Sequence, residues 1–174
     1  MITLDDLHVI CPSVNQARIE PFVDPLNDAM HEFDIDANTE RETAFLAQIC
    51  HESGGFYYVR ELASGDAYEG RSDLGNTEPG DGRKFKGRGL IQITGRSNYA
   101  ACGDALGLDL CDKPELLEQP IAACRSAGWF WHKRGLNELA DAGDFLHITK
   151  RINGGTNGWE DRLAYLKRAQ KALA

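Results

Sequence analysis

No stretch of this sequence stays apolar for the roughly 18 residues that a membrane-spanning helix requires, so stable insertion into a bilayer is not expected. The opening residues, Met1 to Gln16, carry neither a basic start nor an uninterrupted apolar run, and no signal peptide is read there. Basic residues are also scarce: 19 Lys and Arg stand against 27 Asp and Glu, a net charge of -8. A chain of that sign lacks the basic face that neutralises phosphates, which excludes nucleic acid as the main partner. It also weakens attraction to anionic membranes. The five cysteines (Cys11, Cys50, Cys102, Cys111 and Cys124) are odd in number and never adopt C-x-x-C spacing. Neither structural zinc nor a disulfide framework fits that pattern. Buried, reduced thiols are expected instead.

Several familiar chemistries start and then fail. His51-Glu52 opens an H-E-x-x-H zinc site, but position 55 is glycine. His51 is read as a hydrogen-bonding or core residue. Asp34 to Asn38 mimics the start of a calcium loop, yet its sixth position is Thr39 and its twelfth is Phe45. Neither a G-x-S-x-G elbow nor a phosphate-binding P-loop occurs. No metal or organic cofactor is expected.

What remains is a helical pattern. The 174 residues suit one domain, 1–174, built as two lobes around a cleft. No separate wall-binding domain is read, and a monomer is expected. Residues 3 to 9 read as a short helix. From Asn15 to Phe33 the residues Ile19, Phe22, Val23, Leu26, Met30 and Phe33 recur at spacings of three and four, with Pro21 and Pro25 in early turns or at a kink. Thr39-Glu40-Arg41-Glu42 matches a capping box, opening a helix that runs to about Ser53. Gly54 supplies its left-handed stop. Further helices are expected at 94–107, 114–133 with a break at Pro120, 136–142, 144–152 and 159–173. Between them, residues 64–89 carry seven glycines and one proline in 26 positions. Long loops and a small hairpin are expected there, and a loop of that length inside a domain is usually functional. The fold class is therefore mainly α-helical, with a glycine-rich lobe at 64–93 flanking a cleft.

The chemistry gathers at the end of the helix from Thr39. Glu52 shares a face with Phe45 and Ile49, although glutamate is ordinarily a solvated helix former. It also lies in the last turn, where the helix dipole opposes negative charge. Desolvation and dipole together would raise its proton affinity, suiting a general acid. Glu61 follows after Gly54-Gly55 and the aromatic run Phe56-Tyr57-Tyr58, close enough to return across a cleft near Arg60, Arg71 or Arg88. Two carboxyls with separated proton affinities form the acid and base of glycoside hydrolysis. Asp66, Glu69, Asp73 and Asp81 compete for the second role. Arg83, Lys84, Lys86 and Arg88 form either a solvated loop or a docking strip for an anionic polymer. Tyr57, Tyr58, Tyr68 and Phe85 offer flat faces for sugar rings, whereas Trp129 and Trp131 read as core.

Taken together, "HESGGF", "ELASG…YEGR", "KGRGLIQITGRSNY" and "RINGG" resemble the family 19 glycoside hydrolases, the chitinase-like group of the lysozyme-like superfamily. The likeness spans roughly residues 18 to 170 and is strongest to compact phage and prophage endolysins. It implies Glu52 as general acid, Glu61 as the carboxylate that activates water, and Thr94 as the residue holding that water. It further implies Gln92, Asn98, Tyr99 and Asn153 as cleft residues, and inversion with carboxyls about 6.5–9.5 Å apart. The short stretch between Glu52 and Glu61 and the missing disulfides depart from plant chitinases. An endolysin that cleaves the β-1,4 glycan strands of peptidoglycan is therefore the expectation. It would await release in the host bacterial cytoplasm through a holin-type pore and act on the periplasmic wall. Chitin-oligomer hydrolysis, lytic transglycosylation and non-catalytic glycan binding in a phage are the alternatives.

Overall fold

The computed structural model describes residues 1–174. It is mainly helical, with almost no strand. Helix α1 (Leu4–Ile10) carries a capping box at Thr3, which accepts from the Asp6 amide while Asp6 accepts from the Thr3 N–H. The helix expected from Asn15 to Phe33 is instead three pieces: α2 (Gln16–Ile19), a 3-10 turn (Glu20–Phe22) and α3 (Val23–Glu32). Pro21 and Pro25 explain the division, because each lacks an N–H and is tolerated only in a first turn.

Helix α4 (Thr39–Glu52) is the central element, with every residue from Thr43 to Cys50 buried. Its cap is Asn38 rather than Thr39. The Asn38 Oδ1 accepts from the Arg41 amide at 2.9 Å, and its Nδ2 donates to Asp141 at 2.8 Å. An asparagine one residue upstream reaches the third amide as well as a threonine would, and it takes the position. Helix α10 (Trp159–Ala172) lies along α4, α3 lies along α7 (Pro120–Lys133), and α1 packs on α10. The break read at Pro120 is real: a 3-10 turn (Pro114–Glu118) precedes α7. Phe45 of α4 meets Trp131 of α7 edge-on at 5.4 Å, a geometry worth about 0.5–1.5 kcal/mol beyond its buried area.

Residues 64–93 contain two 3-10 turns (Asp66–Tyr68 and Ser72–Leu74) and the single-turn α5 (Asp81–Lys84). The expected hairpin reduces to two isolated bridges, Arg60 with Arg88 and Arg88 with Ile93. Polar contacts organise this lobe. Arg96, at the start of α6 (Arg96–Leu106), donates to Asp81 at 2.6 Å and to Glu78 at 2.7 Å. The Arg96 hydrogen bonds hold the buried Asp81 carboxyl below its ordinary range. Glu69 accepts from the amides of Gly80 and Gly82 at 2.7 and 2.8 Å. The chain closes through α8 (Leu136–Asp141), α9 (Phe145–Asn153) and α10. No helix is long and apolar enough to cross a membrane. All five thiols are free; four are buried and Cys111 is half-buried.

Candidate active site

The chain reverses at the end of α4 through three residues of positive φ: Gly54 (59°), Gly55 (71°) and Phe56 (68°). A left-handed phenylalanine costs about 1–2 kcal/mol. The Phe56 ring offsets that by packing at 5.1 Å on Phe22, and its N–H donates to Ser53 Oγ at 2.9 Å. This turn brings Glu61 back towards the lobe so soon after Glu52.

Glu52 is half-buried, but not in apolar surroundings. Nη2 of Arg162, itself 1% exposed, stands 2.6 Å from Glu52 Oε1, in charge contact without hydrogen-bond alignment. The apolar face shared with Phe45 and Ile49 is therefore only part of its surroundings, and the contact with Arg162 opposes the expected rise in proton affinity. Arg162 also donates to Gln48 Oε1 and to the Asn157 carbonyl at 3.0 Å, while Gln48 Nε2 donates to Thr149 at 2.8 Å. Charge-assisted bonds of this kind fix geometry as well as adding energy. Beside them His51 pairs with Asp161 at 2.7 Å, as a hydrogen-bonding residue, and Gly158 lies flat on its ring. A Cβ at Gly158 would sit 2.2 Å from His51 Cε1.

Glu61 is held at both oxygens. Oε1 accepts from the Tyr68 hydroxyl at 3.0 Å, and Oε2 accepts from the Gly87 amide at 3.0 Å. The backbones are paired as well, the Glu61 N–H donating to the Gly87 carbonyl at 2.8 Å. Burial first, and then the bond to Glu61, raises the Tyr68 phenol above its ordinary range. Gly87 marks the centre of this side. A Cβ placed there would lie 2.8 Å from Gln92 Oε1, 3.2 Å from Glu61 Oε2 and 3.3 Å from Thr94 Oγ1. Three polar oxygens from separate positions therefore face one small volume that only a residue without a side chain leaves open. Gln92 adopts a left-handed φ of 58° and donates to the Gly89 carbonyl at 2.8 Å. Strain at such a position costs on the order of 1–3 kcal/mol and clusters at functional sites. Thr94 Oγ1 donates to the Gln92 carbonyl at 3.0 Å, and Asn98 donates to the Thr94 carbonyl at 2.8 Å.

Asn153 ends α9 with its Nδ2 buried and without a hydrogen-bond partner. A buried donor left open is costly, and a ligand acceptor would satisfy it. Two other expectations need correction. Tyr99 is wholly buried rather than on the cleft wall: its hydroxyl donates to the Lys86 carbonyl at 2.5 Å, and burial raises the phenol to about 12. Arg88 is likewise interior, donating to Glu118 at 2.9 Å, to Tyr99 at 3.0 Å and to the Lys84 carbonyl at 2.7 Å. Burial opposes its charge, but Tyr99 and Glu118 more than offset that and raise its proton affinity. Within the strip from Arg83 to Arg88, Arg83 pairs with Asp66 and Lys86 donates to the Ala63 carbonyl, while Lys84 is exposed with its Nζ 5.3 Å from the Phe85 centroid.

Sequence reasoning passed over Arg162 and Gly87. Arg162 could have been found as the charged residue within the apolar stripe Trp159, Leu163, Leu166 and Ala169. Gly87 has no comparable signal, being one of seven glycines in residues 64–89. A cavity of about 230 Å³ is lined by Gln92, Thr94 and Asn98 together with Trp129, Phe130, Lys133 and Arg134. Trp131 is core as expected, while Trp129 reaches this wall. No three His, Cys, Asp or Glu side chains gather as metal ligands.

Residues 27–140 match the family model of chitinase class I, the glycoside hydrolase family 19. A glycosyl hydrolase family 19 domain-containing protein of Haemophilus influenzae is 34% identical over 157 residues, covering 72% of this chain and 76% of that protein. An endochitinase of Arabidopsis thaliana is 42% identical over 113 residues, 64% of this chain but only 38% of the plant protein. The chain therefore spans well under half of that plant relative. Chitinase C of Streptomyces griseus superposes with a TM-score of 0.80 at 25% identity, covering 99% of this chain and 76% of that one.

Proposed function

The chain belongs to glycoside hydrolase family 19, the class I chitinases, and from that premise we propose that it hydrolyses β-1,4-linked N-acetylglucosamine oligomers with inversion. Glu52 gives its proton to the glycosidic oxygen as the bond to the anomeric carbon breaks. Glu61 takes a proton from water, which attacks the opposite face of the same carbon. Thr94 and Gln92 orient that water with the lone pairs they turn towards Gly87. Asn153 donates its open N–H to an acceptor on the sugar. The observation that carries this reading is the convergence of Glu61, Gln92 and Thr94 on the space above Gly87. Chitin-type substrate is supported by the relatives named as chitinases.

Glu52→Gln keeps the shape of the side chain and its contact to Arg162 while removing the proton. Hydrolysis of chitin oligomers should fall about 10²–10⁴-fold, the usual contribution of a general acid, with the helical circular dichroism retained. Undiminished hydrolysis would remove Glu52 from the mechanism.

A second reading, lysis of the bacterial wall, exchanges chitin for peptidoglycan, whose alternate sugars carry a carboxylate. It is favoured by two cations beside the groove, Lys133 and Arg134, that have no acidic partner. On that reading the protein is an endolysin that waits in the host cytoplasm and reaches the wall through a holin-type pore. Parallel digestion of purified sacculi and chitin oligomers separates the two.

A further inference from the structure

None of the five free thiols has a part in the proposed chemistry, and two of them touch. Cys11 Sγ donates to Cys50 Sγ at 3.5 Å, with the two residues 1% and 0% exposed. Buried thiols pack as small hydrophobes do, so contact alone asks for no further purpose. Their positions do. Cys11 follows the last turn of α1, in the stretch before residue 27, where the family match begins. Cys50 ends the buried run of α4, two residues before Glu52. The amino-terminal segment is otherwise anchored without covalent bonds. Arg168 Nε donates to the Ile10 carbonyl at 2.6 Å, and Asn27 bonds both the N–H and the carbonyl of Ile2, at 2.8 and 2.9 Å. The two thiols also differ in access. Cys11 is followed in a turn by the exposed Pro12 and Ser13, whereas Cys50 lies within a 14-residue helix.

We propose that Cys11 and Cys50 are the site of an intramolecular disulfide, formed by exchange with a low-molecular-weight disulfide, that staples the amino-terminal segment to α4. Local opening of the turn after α1 uncovers Cys11 first. Its thiolate attacks one sulfur of the small disulfide, bonds to it and releases the other half as a thiolate. Cys50 then loses its proton, attacks the Cys11 sulfur and expels the second half. Two protein thiols and one small disulfide thus become one protein disulfide and two small thiols, which take up the two protons. The sulfurs must close from 3.5 Å to about 2.05 Å, a movement of about 1.5 Å shared between two side chains. Burial, and then the contact with Cys11, holds the Cys50 thiol well above its ordinary range. Exchange is therefore slow while the fold stays closed, because the thiolate is the attacking species. The pair stays open in a reducing compartment and closes in an oxidising one. None of this depends on what the cleft hydrolyses.

The test holds reduced wild type in oxidised glutathione. A second sample is unfolded and refolded in the same disulfide, so that burial cannot hide the thiols. Remaining thiols are alkylated in denaturant, and the chain is weighed and digested with trypsin. The expected product has lost two hydrogens, carries three alkyl groups on its five cysteines and yields residues 1–18 joined to residues 42–60. Closing a loop across 39 positions should raise the melting temperature by about 10 °C, and a reductant should reverse the rise. C11A and C50A should show neither the joined peptides nor the rise, and a rise that survives in either overturns the assignment. Five alkylated cysteines in both samples overturn the proposal. Glutathione left on Cys11, or a bond between any other two cysteines, does so too. A bond that forms but leaves the melting temperature unchanged or lower overturns the staple.

Discussion

Replacing Gly87 by alanine perturbs the proposed water site while leaving nearly everything else in place. Gly87 has no left-handed backbone to forbid a side chain, and its N–H and C=O, both bonded to Glu61, are kept. The new methyl would stand 2.8 Å from Gln92 Oε1, 3.2 Å from Glu61 Oε2 and 3.3 Å from Thr94 Oγ1. Gln92 is the end of a flexible chain and can yield. Glu61 is pinned by Tyr68 and by the Gly87 amide, so it moves by tenths of an ångström at most. Alanine in place of glycine gains about 0.4–1 kcal/mol from the unfolded state, and the crowding returns a similar amount. The melting temperature should then stay within about 2–4 °C. The space for water is lost, and misplacement on the scale of 1 Å costs about 10²-fold in rate. Steady-state hydrolysis of chitin oligomers should show kcat down about 10²-fold with KM little changed. A kcat within about threefold of wild type, in a protein of unchanged melting temperature, would refute the placing of water above Gly87.

Arg162→Leu strands the Glu52 carboxylate and the Gln48 carbonyl. Breaking a buried pair from one side costs about 3–5 kcal/mol, so the melting temperature should drop by roughly 10 °C, with Arg162→Lys recovering part; an unshifted melt would show that the contact carries no stability. Asp141 is held down to about 2, first by its bonds to Arg41 and then by Asn38. Its contribution is present above the unfolded value of about 3.9 and disappears as pH falls towards about 2. Denaturant titrations should find wild type losing stability across that window more steeply than Asp141→Asn, and parallel slopes would contradict it.

Much of this was legible in sequence because periodicity reports burial. Phe45, Ile49 and Glu52 lie on one face of α4, and Pro120 marks the start of α7. Boundaries failed where two local signals competed, as with Asn38 against Thr39, or where prolines divided a continuous apolar stripe between α2 and α3. Contacts between distant segments were hidden. Nothing near Glu52 announces Arg162, 110 positions away, and nothing near Arg88 announces its burial against Glu118. A glycine-rich run suggests a loop, but it does not reveal that one glycine is the floor of a site.

The account depends on a proton donor at Glu52 and a water held by Glu61 on the far side of the sugar. Proton NMR of the first product, taken before mutarotation, reads that arrangement directly. Cleavage of a β-linked oligomer should release the new reducing end as the α-anomer. A β-anomer at first appearance, or a product with no reducing end at all, would contradict it.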